Sequence, residues 1–201
     1  TRSPRASDRP RPAPVAAAAW VVLLGCGAYL FAIVAVWAYF GVWEHQIGLT
    51  EHAIGTAVSL SLGAQVLGAA TAGWLGPRLP SLPTLLLVGA PQAGVVLGLL
   101  HWSAPAAQFA LALAFGFLWL FALPLQTRLL IEVDPTRRAV LHLAAAQLTG
   151  SAAGPTLAGL FVTTGRVDGA LWTGAAAMTV ATLLVVLGGR ARHRSDPPRL
   201  S

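Results

Sequence analysis

Apolar residues run along this chain in six long blocks, parted by short stretches rich in Pro, Gly and Arg. A bilayer core takes about 20 apolar residues per helix, and 15–40, 52–75, 84–102, 106–131, 136–164 and 170–188 each meet that requirement. The pattern predicts an all-α integral membrane domain over 15–189, made of six transmembrane helices. The first block closes on Trp37, Tyr39, Phe40 and Trp43, aromatic rings suited to the headgroup layer. Pro77, Pro80 and Pro83 punctuate the second turn, and Gly165 to Gly169 the last. In the third block Gly94 and Gly98 have the spacing of a close helix contact.

The fourth and fifth blocks are joined by a short charged bend carrying Glu132, Asp134, Arg137 and Arg138, so they are expected to lie antiparallel with the bend in water. Asp134 suits an N-cap and Pro135 a first helical position, which predicts that the fifth helix starts there. Further in, Gly150, Gly154 and Pro155 break the run of side chains. Pro155 cannot donate to the carbonyl four residues back, so this helix is expected to be closely packed and bendable, a packing face or a hinge.

The charges give the orientation. All thirteen basic residues are Arg, and twelve of them fall on one side of a six-span arrangement. Only Arg166 falls on the other. By the positive-inside rule both termini are cytoplasmic, with Glu44, Glu51 and Asp168 on outer loops. The stretch 1–14 reads as a basic Pro/Arg-rich cytoplasmic linker cut from a longer protein, and 190–201 as a basic cytoplasmic tail. Arg residues placed only at segment ends are topology signals rather than a phosphate-binding surface, so no nucleic-acid partner is expected despite a net charge of +6.

With 56% apolar and 10% charged residues the soluble classes are excluded. The single cysteine, Cys26, excludes an intrachain disulfide. No catalytic, metal-ligating or cofactor-binding constellation occurs, so neither an enzyme nor a cofactor is expected. His45, His52, His101 and His142 lie singly near block ends. Arg128 and Glu132 are four apart, the spacing of an interfacial ion pair.

Uncharged polar residues inside the blocks are the remaining candidates, because an amide in lipid is costly unless partnered and must face the bundle or a wet cavity. Phe115, Trp119, Ala122 and Gln126 share one helix face, as do Gln147, Ser151 and Gly154. Tyr29 and Gln65 stand at comparable depth. Tyr29, Gln65, Trp119, Gln126 and Gln147 form the candidate solute pathway, with amides bridging helices as the plain structural alternative.

The order of linker, six spans, Asp134-Pro-x-Arg-Arg138 and Gln147-Leu-Thr-Gly-Ser-Ala-Ala-Gly-Pro155 resembles the carboxy-terminal half of a major facilitator superfamily (MFS) transporter. Gly73-Trp-Leu-Gly-Pro-Arg78 is similar to the family's loop after the second helix of a half. Gly73, Leu75 and Arg78 match, while Pro77 replaces its Asp and Ser81 its last Arg. The resemblance implies a secondary transporter of a small solute, working by alternating access, in a bacterial-type plasma (inner) membrane. It implies a missing amino-terminal six-helix half as partner, a cavity lined by the first, second, fourth and fifth spans, and a third and sixth span facing lipid. The alternative is a free-standing six-span membrane protein acting as a homodimer or scaffold. Since no Asp or Glu is expected deep in a span, this half is expected to be electrically passive.

Overall fold

A computed structural model describes residues 15–195, with side chains through 191. The expected linker 1–14 and the end of the basic tail lie outside the described residues. The described chain is all-helical: α1 (Ala17–Gln46), α2 (Glu51–Leu75), α3 (Ser81–His101), α4 (Pro105–Val133), α5 (Leu143–Gly159) and α6 (Asp168–Ser195), with 3₁₀ turns at Gly76–Arg78 and Ala139–His142. Five of them, α1 to α4 and α6, are by length and composition long and apolar enough to cross a membrane, the make-up of a multi-pass membrane protein. The 17 residues of α5 rise about 26 Å, and the 3₁₀ turn before it adds about 8 Å.

The fifth helix is shorter at both ends than its apolar run predicts. Asp134 does not start it. That residue ends α4, and its carboxylate accepts from Thr136 N (3.1 Å), Thr136 Oγ1 (2.6 Å) and Ala139 N (2.8 Å). Pro135 therefore sits in a turn, and Arg137 takes a left-handed φ of 58° that no α-helix admits. Asp134 nevertheless acts as a cap for the 3₁₀ turn, from five residues upstream, by satisfying its first free N–H at Ala139. At the other end the chain leaves the helix at Leu160 and closes a turn in which Thr163 and Arg166 exchange backbone bonds.

The first helix is longer than predicted. It runs six residues past Phe40 and stops at Gly48, whose φ of 91° allows the Leu49 N–H to reach Glu44 O and the Gly48 N–H to reach His45 O. Glu44 is therefore helical and fully buried, not part of an outer loop. Thr50 caps α2 through its hydroxyl, which accepts from Ala53 N.

The helices form two rows. α2, α4, α1 and α5 lie side by side in the first, while α3 lies against α4 and α6, and α6 lies against α1. Two seams in the first row are backbone to backbone. Gly150 and Gly154 meet the carbonyls of Gly27 and Phe31 across α1/α5; Gly68 and Gly116 meet the backbone of Phe117 and Ser61 across α2/α4. The middle seam, α1/α4, is held apart by rings: Trp37 stacks on Phe115 at 6.4 Å and meets Trp119 edge-on at 6.0 Å. Gly94 is not a packing position, since nothing lies within 4 Å of where its Cβ would be. Gly98 does approach Leu111 and its own helix's Trp102.

Candidate solute pathway

The wide α1/α4 seam carries most of the candidate residues. Tyr29 is buried, and its hydroxyl donates to the carbonyls of Leu118 and Trp119, each at 3.3 Å. The Phe115, Trp119, Ala122, Gln126 face of α4 turns toward α1. Its aromatic half meets Trp37, and its lower half joins Tyr29 around a cavity of about 20 Å³ whose further lining includes Thr182 and Gly89. That volume accommodates about one water. Gln126 is buried, and its Oε1 accepts from Nε2 of the half-buried Gln147 at 3.4 Å, joining α4 to α5 across the row.

Three of the five residues thus fall along the α1/α4 seam, Gln147 reaches it from α5, and Gln65 stands apart on α2. It occupies the α4-facing side of that helix, one turn beyond the buried Ser61. Two donors in this region have no partner: Nε2 of Gln65 and Nε1 of Trp119, both shielded from solvent. Their mid-span positions make the missing partners costly in an apolar surround. Ser61 Oγ and Gln92 Oε1 are likewise without partners, and sequence reasoning passed over Gln92. Its Nε2 donates to Phe115 O, so it supports the same aromatic stretch of α4 from α3.

The Pro155 stretch of α5 is braced rather than loose. Tyr39 on α1 donates its hydroxyl to Pro155 O at 3.2 Å, and Gly159 lies against the same ring. The loop motifs resolve into a second cluster. Arg128 bonds Glu132 at 2.9 Å, as its spacing predicts, and also donates to the carbonyls of Gly76 and Leu79. Ser81 Oγ donates to the same carboxylate oxygen of Glu132 at 2.8 Å. The α2–α3 turn is therefore tied to the end of α4. Within that turn Arg78 is exposed, folds back over the Trp74 ring at 5.6 Å and donates to Trp74 O, while Gly73 is open. Hydrogen bonds also govern Asp134: burial alone would raise its carboxyl, but donors from Thr136, Ala139 and Arg138 outweigh it and hold it below the usual range.

No protein-family model matches this chain, and no curated protein sequence matches it. The functional reading therefore rests on the residues and the fold.

Proposed function

We propose that this chain is the carboxy-terminal six-helix half of an MFS-type secondary transporter, moving a small solute by alternating access across a plasma membrane. The observation that carries the reading is the two-row arrangement. The four helices that would line a cavity, α1, α2, α4 and α5, make one row, with α3 and α6 in the other. The ends of the first row support it too. The buried residues of α2 form a single stripe, Ala57, Ser61, Ala64, Gly68 and Ala72, and those of α5 another, Leu143, Gly150, Gly154 and Ala158. The rest of each helix is open to whatever lies beyond, which a second half would cover in part. Gln65 and Trp119, whose N–H groups have no partner, would then lie just behind the wall of a solute cavity between the halves, and Gln126 and Gln147 on its cytoplasmic side.

The reading frame upstream of Thr1 tests the first part. Six more apolar segments in frame support a half-transporter, and an in-frame stop close upstream refutes it. Topology tests the second. With both termini and the Arg138 bend cytoplasmic, cysteines introduced at Arg138 and at Gly165 label from opposite faces of sealed vesicles; labelling of both from one face removes the six-span arrangement.

A further inference from the structure

Among the described residues, one buried acid without a hydrogen-bond partner is not used by the solute pathway. Glu44 is 0% exposed, and neither of its carboxylate oxygens has a hydrogen-bond partner. Gln108 on α4 is also fully buried; its Nε2 donates to the carbonyls of Leu99 (3.1 Å) and Trp102, and its Oε1 has no partner. Two observations bring these groups to the same place. The Trp37–Phe115 stack fixes the register of antiparallel α1 and α4. Glu44 lies seven residues after Trp37 and Gln108 seven before Phe115, so each stands about 10 Å further toward the same end, on the face that carries the stack. Independently, Trp43, the neighbour of Glu44, donates its indole N–H to Leu99 O at 3.0 Å, the carbonyl that Gln108 also binds.

Three acceptor oxygens without partners, Glu44 Oε1 and Oε2 and Gln108 Oε1, are thus placed toward the same end of the α1/α4 seam. The ionisable groups at this end do not supply a donor. His45 and Glu51 face each other in solvent at 3.7 Å; Arg166 pairs with Asp168 at 2.8 Å. His101 on α3 is exposed and bonds Leu97 O; His52 on α2 is exposed. On α4 the polar group at the matching register is Gln108 itself. A carboxylate left charged in such a site is untenable, whereas a neutral acid is also the missing donor. We propose that Glu44 is a proton-binding site, its carboxyl taking up a proton and donating it in a hydrogen bond to Gln108 Oε1. Parting of α1 and α4 at this end would admit water and release the proton. For the transport reading above, that gives this half a proton-carrying group of its own, although the site stands whether or not that reading does.

Infrared spectra of the whole protein in lipid nanodiscs test it at neutral pH, with proton and sodium concentrations varied separately. The chain has only three glutamates, Glu44, Glu51 and Glu132, and the last two are solvated or paired with Arg128. The expected result is a carboxylic-acid C=O band that shifts on isotope labelling of glutamate, survives Glu51→Gln, disappears in Glu44→Gln, and moves to higher frequency in Gln108→Leu. Absence of a glutamate acid band at neutral pH overturns the proposal, as does its persistence in folded Glu44→Gln. Loss of the band on adding sodium chloride also overturns it, in favour of a metal cation. Should Glu44→Gln not fold, the isotope shift together with the Gln108→Leu displacement decides on its own, and an unmoved band removes Gln108 as partner.

Discussion

Gly150→Ala tests the α1/α5 seam at a single methyl group. A Cβ at Gly150 would overlap Gly27 O and stand 3.1 Å from Phe31 N, both backbone atoms that no rotamer change can remove. Carbon normally rests about 3.5 Å or more from such atoms, so the two helices must separate by about 1 Å. Forcing apart a packed contact of this kind costs about 1–3 kcal/mol. Against it stands the helix preference of Ala over Gly, about 1 kcal/mol at most. Gly94→Ala supplies the internal standard, since it gains the same preference and meets nothing within 4 Å. The expected difference between the two variants is therefore about 1–3 kcal/mol, with Gly94→Ala at or above wild type. Reversible unfolding in mixed micelles, followed by tryptophan fluorescence, measures it. Equal midpoints for Gly150→Ala and Gly94→Ala would show that α1 and α5 do not meet through this glycine and would dissolve the seam.

The polar contacts carry three further expected outcomes. Gln147→Leu leaves buried Gln126 Oε1 without its donor and costs about 1–3 kcal/mol, whereas Gln126→Leu/Gln147→Leu costs less than the two single changes added; strict additivity in the unfolding midpoints would show that the 3.4 Å bond is not formed. Arg128→Lys fails to rescue Arg128→Ala, because the guanidinium serves Glu132 and the carbonyls of Gly76 and Leu79 together; a lysine variant as protease-resistant at the α2–α3 turn as wild type would contradict that. Asp134 is held below its ordinary range when folded, so its contribution is fully present above about pH 4, the unfolded carboxyl's range, and is lost as pH falls through the lower folded value. Asp134→Asn should cost about 1 kcal/mol at neutral pH and remove that part of the acid dependence, and identical acid limbs in variant and wild type would refute the assignment.

Some of this was written plainly in the chain. Block length marks all six helices, and five of them meet the length that hydrocarbon thickness demands, α5 being the exception. The Arg128–Glu132 pair comes from a spacing of four. Gln126 and Gln147, read separately as amides that cannot face lipid, bond each other for that reason. Glycine carries no such information. Gly94-x-x-x-Gly98 and Gly150-x-x-x-Gly154 have the same spacing, yet only the second pair lies on a backbone seam, because the distinction depends on which face a neighbouring helix covers. Nor could Gln92 be ranked above other polar residues before α3 was seen to brace α4 at Phe115.

Glu44 shows how a boundary error becomes a chemical one. Ending the first helix at the aromatic cluster assigns the next acid to an outer loop and implies a half without deep carboxylates. The helix instead continues for nearly two turns, because Gly48 can adopt the left-handed conformation that closes it and Trp43 finds an acceptor on α3. Those turns rotate Glu44 onto the face of Trp37 and Phe40, the face already committed to α4. Burial is then a result of helical geometry rather than of any preference of the side chain. Opposite it, Gln108 has both amide hydrogens directed at carbonyls and can offer only its oxygen. An acid set against an amide oxygen is complementary only while it carries its proton, so the proposed Glu44–Gln108 pairing would couple protonation to the closeness of α1 and α4 at one end of the bundle.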